Sequence, residues 1–331
     1  MTATTDYEAI RSTAAVYPTG ELVLEIAGEQ REELVSFLLA KRTEFAQPGS
    51  VVESLVLRED ASVAGHVAAY IEEERVLLIA EQPIDVDITT IAKQRGLESV
   101  RVTDLSASTA VVAVEGPVAW KVVQDFADEE IAGVLLGESC TATLPVSEQP
   151  ATIIRTGTTA EYGYLILAPD TDRDALLKFI STIATELGGQ RVGPEALQRA
   201  QAEVSHPLYP EQFSGLTVRE AAALWMLSAD RDDDFLGSDQ LEKEKAARSL
   251  VAVTATTSSI PAAGTSITAG ETEIGRIHHT LPSAGQPQGF ALALLDAPFN
   301  VPGLELQAGG VTLTTISRPS VDPVSWTEPI G

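Results

Sequence analysis

The chain has 331 residues, 48 acidic against 22 basic side chains for a formal charge of −26, 44% hydrophobic residues and a single cysteine. The length asks for two domains, or one large domain with an appendage, and the apolar fraction suffices for a substantial core. The acidic balance disfavours nucleic acid and anionic membrane surfaces as partners, because like charge repels at long range. One thiol, Cys140, excludes an internal disulfide and any zinc or iron–sulfur site that needs several thiolates from this chain.

Met1 to Glu8 is polar and acidic and no apolar run approaches 18 residues, so neither a signal peptide nor a membrane span is expected, and the expected compartment is cytoplasmic. Asp6 to Ala15 reads as a short helix, and Glu21 to Ala27 alternates apolar with acidic residues as a half-buried strand does. Glu29 to Arg42 carries Leu34, Phe37, Leu38 and Lys41 at helical spacing, and Pro48-Gly49 separates it from a strand over Val51 to Leu57. Ser62 to Tyr70 and Val76 to Ala80, joined by Glu72-Glu-Glu-Arg75, predict a β-hairpin. Strands are expected at Ser99 to Thr103 and Thr109 to Glu115. Gly116-Pro117 then opens a helix whose apolar face is Val118, Val122, Val123 and Phe126.

Tyr162 to Ala168 predicts a strand and Asp172 to Leu187 an amphipathic helix closed by Gly188-Gly189. Thr217-Val-Arg-Glu220 has the spacing of a capping box ahead of a helix over Ala221 to Leu227. From about Ser249 the texture changes to strand-like runs (Leu250 to Ala255, Ile274 to His278, Phe290 to Leu295, Gly310 to Thr315) between Gly/Pro turns. That change predicts a first domain over residues 1–245 and a small all-β domain over 246–331.

Generic chemical motifs are missing: no G-x-G-x-x-G after a strand, no G-x-x-x-x-G-K-[ST], no G-x-S-x-G, no H-E-x-x-H. Four histidines (His66, His206, His278, His279) leave little room for a His-rich metal site, and none is expected. His278-His279 lies in a predicted strand, where adjacent side chains point oppositely and do not chelate together. The acids of Asp230 to Asp234 lack the glycine and terminal glutamate of a calcium loop and read as a solvated loop. Arg155-Thr-Gly-Thr-Thr-Ala-Glu-Tyr-Gly-Tyr164 is richer. Two glycines and small hydroxyl residues surround one carboxylate, so backbone can approach a flat ligand while the carboxylate accepts two parallel N–H bonds. Asp233-Asp-Phe-Leu-Gly237, Ile274-Gly-Arg-Ile277 and Gly289-Phe-Ala-Leu-Ala293 punctuate the remainder.

In this order and at these separations the segments resemble the glycine-cleavage T-protein (aminomethyltransferase) family of tetrahydrofolate-binding proteins. Arg155 to Tyr164 is similar to the family's R-T-G-Y-T-G-E-x-G-[YF], with Thr158 and Ala160 replacing its Tyr and second Gly. Asp234-Phe-Leu-Gly237 resembles D-F-I-G, and Val112-Ala-Val-Glu-Gly-Pro117 resembles A-L-x-x-Q-G-P. Gly264-Thr-Ser, Ile274-Gly-Arg and Pro302-Gly-Leu are similar to landmarks of the family's C-terminal barrel, so the likeness spans roughly residues 8–310. It implies an α+β fold, a ring of two mixed α/β subdomains and a C-terminal antiparallel β-barrel around a folate channel. It also implies that Glu161 contacts the pterin's amino-pyrimidine edge, with Thr156, Gly157, Tyr162, Tyr164, Glu203 and Glu81 completing the cofactor site.

The departures are specific. The family's catalytic Asp belongs to G-x-x-D-D-x-x-V-Y, and the matching Ser62 to Tyr70 has Gly65 and His66 in place of the two acids, with glycine expected to open space beside the backbone. Glu81 stands for the usual Asn, and Gln201 for the Arg of L-R-x-E, in Ala200-Gln-Ala-Glu203. An imidazole handles protons near neutral pH, so His66 is the expected catalytic base, with Glu81 or Glu203 supporting the second substrate. The resemblance with these replacements implies tetrahydrofolate-dependent methylene or methyl transfer to or from a small molecule other than glycine. The alternative is a non-catalytic folate-binding accessory protein or subunit. A branch that assists iron–sulfur enzymes carries K-G-C-Y-x-G-Q, which does not follow Trp225 here.

Overall fold

The computed structural model describes residues 5–145, 147–228, 231–241, 243 and 247–330. The first strands are β1 (Ala15–Pro18), β2 (Leu22–Ala27), β3 (Val51–Leu57), β4 (Val63–Ile71) and β5 (Arg75–Ala80). β6 (Arg101–Asp104), β7 (Thr109–Glu115), β8 (Ser139–Leu144), β9 (Gln149–Ile154), β10 (Gly163–Pro169) and β11 (Gln190–Arg191) follow. They form two sheets. One is antiparallel throughout, in the order β3-β4-β5-β2-β6. The other runs β11-β1-β7-β10-β9-β8 and is antiparallel except where β1 meets β11.

Helices cover the outer face of each sheet. α1 (Asp6–Ser12) starts at a capping box in which Thr5 and Glu8 satisfy each other's backbone N–H. α2 (Arg31–Leu38) and α3 (Ile88–Gln94) bury Leu34, Val35, Leu38, Ile88 and Ala92 against the five-stranded sheet. α4 (Ala119–Gln124) and α5 (Arg173–Glu186) cover the six-stranded sheet. The Asp172 side chain accepts the Ala175 N–H to start α5, and Leu176, Leu177 and Ile180 fall on its buried face, each worth about 1.5–3 kcal/mol of transfer energy. α6 (Pro194–Glu203) and the single turn α7 (Ser238–Leu241) come later. The inner faces of the sheets meet through Val23, Tyr70, Leu77 and Ile79 against Val111, Ile154 and Leu167. That contact sets the seam in which the cavity described below lies.

β12 (Arg248–Ala255), β13 (Ser266–Ala269), β14 (Thr272–Thr280), β15 (Gly289–Asp296), β16 (Glu305–Ala308) and β17 (Val311–Ile316) close into an antiparallel barrel with its own apolar core. Leu250, Phe290 and Leu292 join Leu55, Leu57 and residues 208–226 in a second core that ties the barrel to the five-stranded sheet. The expected plan of two mixed α/β parts and a C-terminal barrel is the plan observed. The expected boundary between 245 and 246 falls among 244–246, outside the described residues, as does Asp230.

Local expectations fail in instructive places. Thr217 and Glu220 make the reciprocal bonds of a capping box, yet no helix follows; a 3-10 turn appears only at Leu224–Met226. Ala222 has φ +56°, and the Glu220 carbonyl accepts the Leu250 N–H, so the segment hands its hydrogen bonds to the barrel. Ala15 leaves the first helix to pair with Glu115 on β7. The space expected beside Gly65 is filled by Ile84, whose Cγ1 would lie 3.2 Å from an added Cβ.

Candidate functional site

The β3–β4 register pairs Leu55 with His66 and Ala68 with Glu53. Side chains alternate along a strand, so Glu53 and His66 share a face as diagonal cross-strand neighbours. Glu53 Oε1 lies 3.1 Å from His66 Nε2, and the buried Nε2 makes no well-aligned hydrogen bond among the described residues. His206 comes from elsewhere. α6 ends at Glu203, Ser205 takes φ +69°, and the His206 N–H donates back to the Gln201 carbonyl at 3.0 Å. This left-handed turn, uncommon for a residue other than glycine, swings the His206 ring onto β4. The two imidazoles meet edge to face with centroids 5.0 Å apart, and His206 Nδ1 is 3.5 Å from Glu53 Oε1.

Burial alone would push the Glu53 carboxyl upward, but His206 and His66 outweigh it and hold the group at about 2. Burial pushes His206 down to about 4 despite Glu53. At neutral pH an ionised carboxylate therefore stands beside a neutral buried imidazole. Glu81 lies on the same cavity, across from His66. Loss of hydration around its carboxyl raises it first, against His66, with Glu115 and Glu53 adding to the rise.

Thr156, Gly157 and Thr158 form the opposite wall, with Tyr17, Ala68, Ile79 and Leu165 between. The loop is fastened from behind by Glu115, which is 1% exposed. Its carboxylate accepts the N–H groups of Thr158 and Thr159 at 3.0 and 2.9 Å, and also the hydroxyls of Thr158, Thr159 and Tyr17. Gly157 and Gly163 permit the contact, since a Cβ on Gly163 would sit 2.5 Å from Gly157 Cα. The Gln201 amide donates to Thr158 Oγ1 at 3.1 Å, so the residue expected to replace a folate-holding Arg ties α6 to the loop. The cavity has about 490 Å³ of space out to its mouth, of which about 50 Å³ admits the centre of a water molecule.

Of the residues expected to act, His66, Glu81, Thr156 and Gly157 come together here, and four do not. The side chain of Glu161 is 0% exposed and points away from the cavity. Its oxygens receive Arg11 at 3.4 Å, the Val324 and Ser325 N–H groups at 3.3 and 3.0 Å, and the Ser325 hydroxyl at 2.7 Å. Glu203 is held by Tyr7 at 2.7 Å, Arg11 at 3.2 Å and Arg199 at 2.7 Å, beside a separate groove against the barrel. Tyr164 is fully buried in the core under α4 and α5, because β10 turns that side chain to the helix-covered face. Tyr162 lies against the C-terminal tail, donating its hydroxyl to the Glu328 carbonyl. The tail, supplying both Ser325 and Glu328, is what occupies the loop's outer side.

Sequence reasoning missed Glu53, His206, Glu115 and Tyr17. The predicted hairpin, paired with the preceding strand in register, would have found Glu53. Glu115 carried only its neighbourhood with Gly116-Pro117, and His206 carried no local signal.

The family model described as GCVT N-terminal domain matches residues 2–231. The chain is similar to an aminomethyltransferase of Bacillus pumilus (strain SAFR-032), 23% identical over 299 residues, covering 88% of this chain and 82% of that one. An aminomethyltransferase of Halalkalibacterium halodurans is 25% identical over 308 residues, 91% of this chain and 84% of its own. Among solved structures, the glycine cleavage system aminomethyltransferase T from Bartonella henselae superposes with a TM-score of 0.78 at 20% identity, covering 96% of this chain and 89% of that one, a likeness of fold. With the family model covering well over half of its length, the chain belongs to the GCVT family, as a divergent member.

Proposed function

We propose that this protein is a tetrahydrofolate-dependent one-carbon transferase acting on a small molecule, with the cavity between the two sheets as its site, and that its reaction is not the standard glycine cleavage. The observation that carries the reading is the convergence of Glu53 and Glu81 on one cavity with His66, which stands at the strand position where the resembling family places its catalytic acids. Relatives named aminomethyltransferase align over most of both chains, which supports one-carbon chemistry.

The residues present suit a reduced pterin. Ala68, Ile79 and Leu165 offer apolar wall to a flat ring, while Glu81 and Thr156 offer oxygens to its N–H edge. A reduced folate supplies a nitrogen that carries the one-carbon unit. His66, with Glu53 beside it at 3.1 Å, is the group that takes up or returns the proton at that nitrogen or at the substrate amine. The cavity is narrow, so ring entry requires its mouth to widen, a change the ligand selects by binding the open form better.

The non-catalytic reading is favoured by one fact: Glu161 and Glu203 spend their oxygens on Arg11 and other internal donors. Calorimetric titration with a reduced folate, followed by turnover assays with methyl- and methylene-donor amines, separates the two. Folate binding with turnover abolished by His66→Ala is the expected result. Binding without any turnover makes the protein an accessory folate binder, and no binding at all sinks both. Glu81→Ala should weaken folate binding by about tenfold or more, the equivalent of one charge-assisted hydrogen bond of ~1.5–3 kcal/mol.

A further inference from the structure

We propose that Glu53, His66 and His206 form a binding site for one divalent transition-metal ion of the zinc class, with a coordination position left open toward the cavity. This goes beyond the folate reading and does not depend on it. One ligand atom from each residue lies within 4.8 Å of the other two. Two of the three separations, 3.1 and 3.5 Å, match the roughly 3.3 Å edge of a tetrahedron with metal–ligand bonds of ~2.0–2.1 Å. The ligand nitrogens of the two imidazoles lie within 4.8 Å of each other.

Within the cluster, the buried His66 Nε2 has Glu53 Oε1 beside it at 3.1 Å but makes no well-aligned hydrogen bond among the described residues. A buried polar atom without a partner costs free energy, and native chains rarely leave one unless something absent from the protein alone satisfies it. Nε2 sits beside the carboxylate, at the distance of a co-ligand and without the alignment of a hydrogen bond. The arrangement also has rigid support: Glu53 and His66 are fixed by the β3–β4 register, and His206 by its backbone bond to Gln201.

Donor type selects the ion. Two imidazoles and one carboxylate suit zinc, iron(II), nickel or copper, whereas calcium and magnesium demand oxygen ligands. Three protein ligands with a vacant position are the pattern of catalytic sites, in which a water completes the shell. The 50 Å³ of water-accessible space beside these residues is room for that water.

The test uses the full chain, stripped with a chelator and titrated with Zn²⁺ by calorimetry and with Co²⁺ by its visible absorption, in the absence of any folate. The expected result is one equivalent bound per chain, with a tetrahedral Co²⁺ spectrum and a higher melting temperature. His66→Ala and His206→Ala should each weaken binding by more than the ~10–100-fold that loss of an outer-sphere partner costs. The double variant His278→Ala/His279→Ala, remote from the cavity, should bind as the native chain does. Glu53→Gln, which keeps the side-chain shape, serves if an alanine variant fails to fold, as checked by circular dichroism. Absence of a saturable first equivalent in the native chain overturns the proposal. So does an equivalent that survives unchanged in the folded Glu53, His66 and His206 variants. Because the readouts involve no folate, failure of the transferase reading leaves them untouched.

Discussion

Replacing Arg11 by Met removes the guanidinium that joins three distant parts of the chain while keeping most of the aliphatic stem. Arg11 donates to the Thr159 carbonyl at 2.7 Å and the Ala200 carbonyl at 3.0 Å, and to Glu161 and Glu203 at 3.4 and 3.2 Å. The carboxylate contacts are long, so each belongs at the low end of charge-assisted bonds, about 1.5 kcal/mol, and each carbonyl contact adds about 1 kcal/mol. Glu161 keeps three donors from Val324 and Ser325, and Glu203 keeps Tyr7 and Arg199, so neither is left bare. The expected destabilisation is therefore about 3–5 kcal/mol, the sum of these contacts less what the remaining donors recover. It is a large share of an ordinary stability of roughly 5–15 kcal/mol. The assay is denaturant unfolding followed by circular dichroism on the native chain, Arg11→Met, Glu161→Gln and the double variant, with midpoint and slope both recorded. In the cycle the double variant should lose less than the two singles together, by about 1.5 kcal/mol or more. Additivity within ~0.5 kcal/mol, at unchanged slope, would refute the claim that Arg11 and Glu161 act as a unit.

Two further outcomes follow from the loop and the first helix. Glu115→Gln puts an N–H₂ among the N–H and hydroxyl donors of Thr158, Thr159 and Tyr17, and should cost roughly 3–5 kcal/mol and speed amide exchange at Thr158 and Thr159. Unchanged exchange at both amides would mean that the carboxylate does not hold the loop. Tyr7 is raised to about 12, by burial first and then by Glu203. A raised group contributes stability that is complete below the unfolded value of 10.0 and is lost as pH climbs through the folded value. The stability difference between the native chain and Tyr7→Phe should accordingly shrink from pH 10 to about 12, and a difference that stays constant over that window would mean that burial and Glu203 do not raise the Tyr7 hydroxyl.

The sequence by itself carried whatever is written in local pattern. Alternation found β2, short β-branched runs between turns found β3, the β4–β5 hairpin and β7, and Gly/Pro punctuation found the switch to an all-β C-terminal part. Val51–Leu57 and Thr109–Glu115 came out with their bounds intact because flanking turns and β-branched residues decide those strands without outside help. The same locality located the Arg155–Tyr164 loop as special and put Thr156 and Gly157 beside the cavity. Which way each carboxylate points was decided by the tertiary structure. Glu161 is captured by Ser325 and by Arg11, both about half the chain away, and residues 323–326 lack the periodicity that would announce such a strap. His206 reaches Glu53 only because α6 stops, Ser205 turns left-handed, and the second core brings residues 208–226 under β3. Side-chain spacing within one element is set by covalent geometry and so can be read from sequence order. The meeting of Glu53, His66 and His206 is set by how separately folded elements pack, an outcome of burial summed over the whole molecule.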